Sequence, residues 1–529
     1  MPDAVVIGAG HNGLVAANLL ADHGWEVLVL EEQSEPGGAV RSAEVTRPGF
    51  IHDLFSAFHP LSAASPVMRS LELEGYGLRW RRSRGVVAHP HEDGRCALIS
   101  TELDETCRSL EAFAPGDGER WRRFYAGWER AGGAFMESLL SPFPPVRAGA
   151  KLLWALRGRR RPLRFARMTL LPARRLAEET FDGEGGAWLL AGNALHADLT
   201  PDQAGGGFFG WVLCGLGQER GFPVPEGGAG ELTAALVTRL RSRGGRVECE
   251  APVSSIAVRG GRATAVRSPA VGEVPASRAV IADVGAPALY RRLLPRGAVP
   301  DETLRALRSF QYDNATVKLN WALSAPIPWR AEAARGAGTV HVAEGTDGLT
   351  KATMELLRGL IPERPFLVLG QYDPVDRSRF PEGAEAAWAY THVPQRIRGD
   401  AAGELSGSWS GGEAERFCER METEVERLAP GFRDRILQRQ LQLPADLERS
   451  NANLVGGAIN GGTAQLYQQV VFRPMASWAR AATPVEGLYL GSASAHPGGG
   501  VHGACGANAA RAALRRAGLT MARWPPRPS

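Results

Sequence analysis

The sequence predicts an α/β protein, and three observations near its start carry that expectation. An apolar, β-branched run, Ala4–Ile7, leads directly into the glycine-rich turn Gly8-Ala9-Gly10-His11-Asn12-Gly13. An alanine-rich helical stretch, Leu14–His23, follows and is closed by Gly24. A second apolar run, Val27–Leu30, ends on Glu31. A strand, a glycine turn opening a helix, and a second strand ending in an acid together make the Rossmann-like unit that binds dinucleotides.

Each part of that unit has a physical task. Gly8 permits the tight turn, Gly10 lets the backbone approach a pyrophosphate, and Gly13 lets helix and strand pack closely. The helix N-terminus, with Ala9, His11 and Asn12 around it, offers N–H groups and the positive end of the helix dipole to phosphates. Glu31 can accept hydrogen bonds from ribose hydroxyls, and Glu32 stands beside it. Beyond these the chain runs Pro36-Gly37-Gly38-Ala39-Val40-Arg41. This extension resembles that of many FAD-containing oxidases and desaturases, where a Gly-Gly loop lies close to the cofactor and the following arginine contacts a phosphate or the flavin side.

Length and composition narrow the classes. A chain of 529 residues exceeds one ordinary core and predicts two or three domains. No apolar run reaches the length of a membrane-crossing helix, and no secretory leader opens the sequence, which predicts a cytoplasmic protein. The six cysteines are scattered without a C-x-x-C, which speaks against a disulfide reductase and a structural zinc; no histidine pairing indicates a metal. Residues 138–177 hold ten basic residues and no acidic one, interleaved with Leu152, Leu153, Trp154, Leu163 and Phe165. That segment is a candidate for peripheral contact with an anionic membrane; a solvated helical face or a subunit contact gives the same pattern. No nucleic-acid recognition motif accompanies the charge. Oligomeric state is left open.

A second glycine loop lies near the C-terminus. Gly487–Ser492 reads as a strand ending at Gly491 and Ser492; His496-Pro497-Gly498-Gly499-Gly500-Val501-His502-Gly503 then opens an alanine-rich helix through about Arg516. With Gly499, Gly500 and Val501 at its mouth, that helix would favour the negative charge of a reduced flavin. Gly228-Ala229-Gly230 is too short to be another dinucleotide motif, so no dedicated NAD(P)H domain is expected.

Taken together, VVIGAGHNGLVAANLLA, LEEQSEPGGAVRS, PGFIHDLFSAFHP, PVPEGGAGELTAAL, VKLNWALSAPIPW, WAYTHVP and HPGGGVHGACGANAA resemble the phytoene desaturase-like (phytoene dehydrogenase-related) FAD-dependent oxidoreductases along nearly the whole chain. The resemblance implies a Rossmann-like FAD-binding domain that is discontinuous in sequence, from 1–84, 222–296 and 476–520. A mixed sheet-and-helix substrate domain with a helical cap would come from 85–221 and 297–475, followed by a tail at 521–529. It implies an adenine contact near Val253, after a strand Arg246–Glu250. Thr101–Leu216 is mostly helical in pattern, and Ala315–Leu323, Gly338–Val342, Phe366–Tyr372 and Ala386–His392 read as strands. Trp154, Trp188, Phe208, Phe209 and Trp211 are candidates to line an apolar pocket beside the flavin.

The activity so implied is hydride transfer between flavin N5 and a hydrophobic polyene, with a proton leaving the neighbouring carbon. His502, His59 and Lys318 are the candidate proton-handling residues, with Asp53 orienting a neighbour. A carotenoid precursor and a polyene natural-product intermediate both fit. So does reductive cyclisation of a polyene tetramate macrolactam, as performed by relatives of this family. An amine oxidase of the same fold and a non-catalytic flavin-bound partner subunit are the other readings.

Overall fold

The computed structural model describes residues 1–158, 160–476, 478, 480–519 and 521. Arg159 of the basic segment and residues 522–529 of the expected tail lie outside the described residues.

The apolar runs near the start become the middle of a five-stranded parallel sheet. Its order is Leu488–Leu490, Ala279–Ala282, Ala4–Ile7, Val27–Leu30 and Arg246–Glu248. The first four strands are buried along their whole length, which is why they read as unbroken apolar stretches rather than alternating ones. One sheet is thus stitched from the beginning, the middle and the end of the chain. The strand expected through Glu250 stops at Glu248, and Glu250 adopts a left-handed φ of 54° that turns the backbone away.

The first helix covers His11–Ala21 and not Leu14–His23. It starts inside the glycine motif, because Gly10 serves as its extended cap, and it ends before Gly24, whose φ of 75° releases the chain toward the next strand. Helices Gly230–Ser242 and Ala504–Arg516 pack against it. The second of these contacts is backbone to backbone: a Cβ on Gly506 would stand 1.9 Å from the carbonyl oxygen of Asn12.

A second, seven-stranded sheet runs Ile436–Gln442, Ala315–Leu323, Glu385–Val393, Leu367–Gln371, Ala337–Val342, Gly85–Pro90 and Cys96–Ser100. It is antiparallel except where Ala337–Val342 lies parallel to Gly85–Pro90. Of the four strands expected here, Ala315–Leu323 has the expected bounds and the other three differ by single residues at their ends. Over one part of this sheet lie the helices Asp117–Leu140, Glu184–Leu195 and Gly206–Arg220. The protein is therefore an α/β molecule with a Rossmann-like domain joined to a mixed sheet capped by helices. Among the described residues no helix is long and apolar enough to cross a membrane.

Candidate active site

Between the two sheets runs a continuous cavity of about 520 Å³. One end passes Glu31, Glu32, Gln33 and Val253, then Gly8, Gly10, His11 and Asn12. The middle is walled by Gly38, Ala39, Asp283, Ser492 and the loop Gly499–His502. The other end has the seven-stranded sheet as its floor and Leu139, Leu140, Phe209, Val212 and Leu213 of the capping helices as its roof.

At the first end the walls are backbone. Gly8 and Gly37 hold φ values of 94° and 126°, which side-chain-bearing residues rarely adopt. A Cβ on Gly13 would lie 2.1 Å from the Gly8 carbonyl, and one on Gly38 would lie 3.1 Å from the Gly10 Cα. The Gly37 N–H donates to the Ala9 carbonyl at 2.9 Å, which clamps the Gly-Gly loop onto the first turn. Glu31 accepts from the N–H of Ala9 at 2.7 Å and of Gln33 at 3.0 Å; burial raises its pKa against those two bonds. Arg41 donates to the Gly38 and Ser450 carbonyls and so ties the loop to a distant segment.

Asp283, at the end of the strand Ala279–Ala282, accepts from the Gly13 N–H at 2.8 Å. Burial pushes its pKa up to about 7. The helix N-terminus, the glycine cradle, and the buried Asn12 Oδ1 and His11 Nε2 with no protein partner suit a pyrophosphate and its nucleotide. Glu31 suits the adenosine ribose, and the cavity continues past Gly499–Val501, where the flavin ring would lie. These residues fit FAD.

The far end is made of side chains. Thr316 and Lys318 come from one strand, Trp388 and Tyr390 from its neighbour, Val368 and Thr339 from the next two. All stand at alternate positions and so project from one face of the sheet. Lys318 is directly opposite Tyr390. The residue is 3% exposed, and its ammonium donates to the Asp53 carbonyl at 2.5 Å and to Asn320 Oδ1 at 2.7 Å and lies 5.5 Å from the Trp388 ring centre. Burial lowers its pKa to about 7 against the pull of the Asp53 carboxylate.

Asp53 itself is fully buried and does not line the cavity. Its carboxylate pairs with Arg379 at 2.7 Å and accepts from Ser42 and the Ala229 N–H at 2.6 Å each. It locks the seam between the two sheets, and only its carbonyl reaches toward the cavity, through Lys318.

Of the other two candidate bases, His59 lines the cavity with Nε2 unpartnered, and burial lowers its pKa to about 4. His502 also lines it, but both ring nitrogens are engaged. Nδ1 accepts from the Ala504 N–H at 3.0 Å, which leaves Nε2–H to donate to the Gly498 carbonyl at 3.2 Å. With no lone pair free, that ring shapes the C-terminal loop rather than taking a proton.

Of the proposed cofactor contacts, Gly8, Gly10, His11, Asn12, Glu31, Glu32, Gly38, Ala39, Val253, Ser492, Gly499, Gly500 and Val501 line the cavity. Ala9, Gly13, Gly37, Arg41 and Gly491 support that layer through backbone bonds. Among the aromatic candidates Phe209 alone lines it. Trp188 packs with His89 and Phe113, Phe208 and Trp211 pack with Phe135 and Phe165, and Trp154 is 69% exposed. Asp283, Phe58, Thr316, Thr339, Trp388 and Tyr390 are cavity residues that motif reading did not single out. Glycine motifs give no hint of them, because which face of a strand meets the cavity is decided by the sheet.

Residues 6–72 match the family model described as an NAD(P)-binding Rossmann-like domain. The chain is 29% identical to the rat pyridine nucleotide-disulfide oxidoreductase domain-containing protein 2, over 97% of this chain and 93% of that one. It is 25% identical to the lycopene-forming phytoene desaturase of Pseudescherichia vulneris, over 97% of this chain and 99% of that one. An oxidoreductase of known structure from Methanosarcina mazei shares the fold with a TM-score of 0.63 and 16% identity, over 97% of this chain and 99% of that one. All six cysteines here are free. The two glycine loops on one cavity, the fold and the full-length likeness make the chain an FAD-dependent oxidoreductase that is similar along its whole length to the phytoene desaturases.

Proposed function

We propose that the enzyme dehydrogenates a carbon–carbon bond of a lipophilic, unsaturated small molecule, with Lys318 handling the proton. The observation that carries this reading is the single cavity that joins the cofactor loops to a largely apolar chamber containing one lysine. Bound FAD supplies a two-electron hydride acceptor. The chain's residues do the rest. Phe209, Val212, Leu213 and Leu139 exclude water and hold the hydrocarbon body, while Trp388 and Tyr390 flank the reacting segment.

In its neutral form Lys318 gives two N–H groups to Asp53 and Asn320 and keeps a lone pair for a proton from the carbon beside the hydride donor. A C=C bond forms as the substrate loses one hydride and one proton. Supplied with reduced flavin instead, the same arrangement would deliver hydride to a polyene and set off ring closure.

A second reading, an amine oxidase, is favoured by one observation. The rings of Trp388 and Tyr390 stack 6.1 Å apart at 6°. Against it, the carboxylates lining the cavity, Glu31, Glu32 and Asp283, all stand at the cofactor end, away from where an ammonium would sit.

Mixing the FAD-loaded enzyme with a polyene under argon decides between them. Bleaching of flavin absorbance with a product lighter by two hydrogens supports dehydrogenation. A product heavier by two hydrogens from pre-reduced enzyme supports cyclisation. Bleaching by amines alone overturns the polyene reading.

Delivery of such a substrate is served by the basic segment. Val146, Leu153, Trp154, Leu163 and Leu170 are 62–76% exposed, on and beside the helices Val146–Ala155 and Arg161–Met168. Arg147, Arg157, Arg160, Arg161 and Arg164 form no ion pair among the described residues, although Arg157 stacks on Trp154. This surface adjoins the helix end whose Leu139 and Leu140 roof the cavity, and its chemistry suits an anionic membrane face.

A further inference from the structure

We infer that the natural substrate is not a pure hydrocarbon but an oxygenated lipophile whose carbonyl or carboxylate oxygen is held on the sheet floor by Lys318, Thr316 and Thr339. This rests on the reading above only in taking that floor as the substrate chamber.

The floor is polar where a hydrocarbon would require it to be apolar. Thr316 is 3% exposed and Thr339 is 1% exposed; both line the cavity, and neither Oγ1 has a protein partner. His59 Nε2 is in the same condition. Lys318 has used two of its three ammonium N–H groups on Asp53 and Asn320, and the third remains for a ligand.

A β-strand accepts valine in place of threonine at almost unchanged volume, so a chamber shaped for hydrocarbon has a ready alternative at both sites. Filling the chamber with hydrocarbon would strip water from each of these groups and return no hydrogen bond. An oxygen acceptor on the substrate satisfies them instead. A site built this way discriminates strongly against an analogue that lacks the oxygen.

The position of the oxygen also has chemical sense. The carbon next to a carbonyl holds its hydrogen less tightly, and a donor on the carbonyl oxygen weakens it further. With the Lys318 ammonium holding the oxygen, the proton leaves that carbon for the unpartnered Nε2 of His59 while hydride leaves the next one for the flavin, giving a conjugated C=C–C=O. Atoms and electrons balance with FAD as the oxidant. The charge of the chamber agrees, since Lys318 welcomes an oxyanion and no carboxylate among the described residues lines that end.

The test compares two polyenes of one skeleton on the FAD-loaded enzyme: retinoate, and axerophthene, in which a methyl group replaces the carboxylate. Binding is read by titration calorimetry and by the shift of the flavin absorption band, without turnover. Retinoate is expected to bind at least tenfold tighter, about 1.4 kcal/mol. Thr316→Val and Thr339→Val should each shrink that preference to threefold or less while axerophthene affinity holds, and Lys318→Met should abolish it. If Lys318→Met fails to retain FAD, the two volume-conserving threonine variants carry the test. Equal or tighter binding of axerophthene overturns the inference and leaves polyene dehydrogenation standing. Binding of neither probe overturns both.

Discussion

The two ends of the cavity are built on opposite plans. The cofactor end is backbone: Gly8–Gly13, Gly37–Gly38 and Gly499–Gly500 present amides and close approaches, and few side chains matter. The substrate end is side chain: Thr316, Lys318, Thr339, Trp388 and Tyr390 project from three strands, under a roof contributed by helices. Backbone recognition depends on what is missing from the residue, side-chain recognition on what is added. The first is therefore brittle and tied to one ligand, and the second can be retuned without disturbing the first.

The largest effect should come from adding bulk to the backbone end. Gly506→Val forces a Cβ into the Asn12 carbonyl, and Gly13→Val does the same to Gly8. Each variant is expected to lose flavin entirely, read as the absorbance ratio at 450 and 280 nm, and to unfold at lower temperature. A flavin-loaded Gly13→Val protein would break the contrast.

Next in size is the seam. Arg379→Met leaves Asp53 buried without its cation, at a cost of about 3–5 kcal/mol in urea unfolding. The Arg379 guanidinium holds the Asp53 carboxyl below its usual range against burial. The pair's contribution is therefore present above about pH 4 and disappears as acid protonates the carboxylate.

Lys318→Met should then separate the ends cleanly. Flavin content is expected to hold while turnover falls about 10²–10⁴-fold. Because burial brings the lysine to about 7, the native rate should rise as pH increases through 7, as the amine form accumulates, and that rise should vanish in the variant.

Acid sharpens the comparison more gently. Burial holds His11, His59 and His196, which all line the cavity, near pKa 4, whereas unfolded histidines titrate near 6.5. Stability is full above pH 6.5 and falls toward pH 4 as the unfolded chain takes up protons, by ~1.4 kcal/mol per pH unit for each histidine. A melting temperature unchanged between pH 7 and 5 contradicts this. The smallest effect on the fold should be Leu153→Glu with Trp154→Glu. These are expected to change stability by less than about 0.5 kcal/mol yet to reduce co-sedimentation with phosphatidylserine vesicles.

The same contrast explains what could be read in the sequence. The glycine motifs and the buried parallel strands are local: Gly8–Gly13, Glu31 and Gly499–Val501 announce themselves within a few residues of chain. Lys318 was legible as a lone lysine in an apolar strand. Thr316 shares with it the alternation of Thr316, Lys318 and Asn320 against Val317, Leu319 and Trp321, but Trp388 and Tyr390 were not legible, because Glu385–Val393 carries apolar residues on both faces and nothing in it tells cavity from core. Trp154 shows the converse. An apolar residue on an amphipathic helix marks a face, and the sequence does not say whether that face meets the protein interior or, as here, the outside. Asp283 follows the buried strand Ala279–Ala282, and its role at the first helix depends on a hydrogen bond that spans 270 residues of chain.

The stitched parallel sheet has a consequence in time. Helix His11–Ala21 leaves the ribosome almost five hundred residues before Ala504–Arg516, the helix that must lie against it. At ~5–20 residues per second that gap lasts on the order of half a minute to two minutes. Throughout it the first glycine turn lacks the strand Leu488–Leu490 and the Gly506 contact that complete its surroundings. Flavin capture is therefore a late event in the life of the nascent chain, and the apolar strands made first spend that interval as the segments in greatest need of a chaperone.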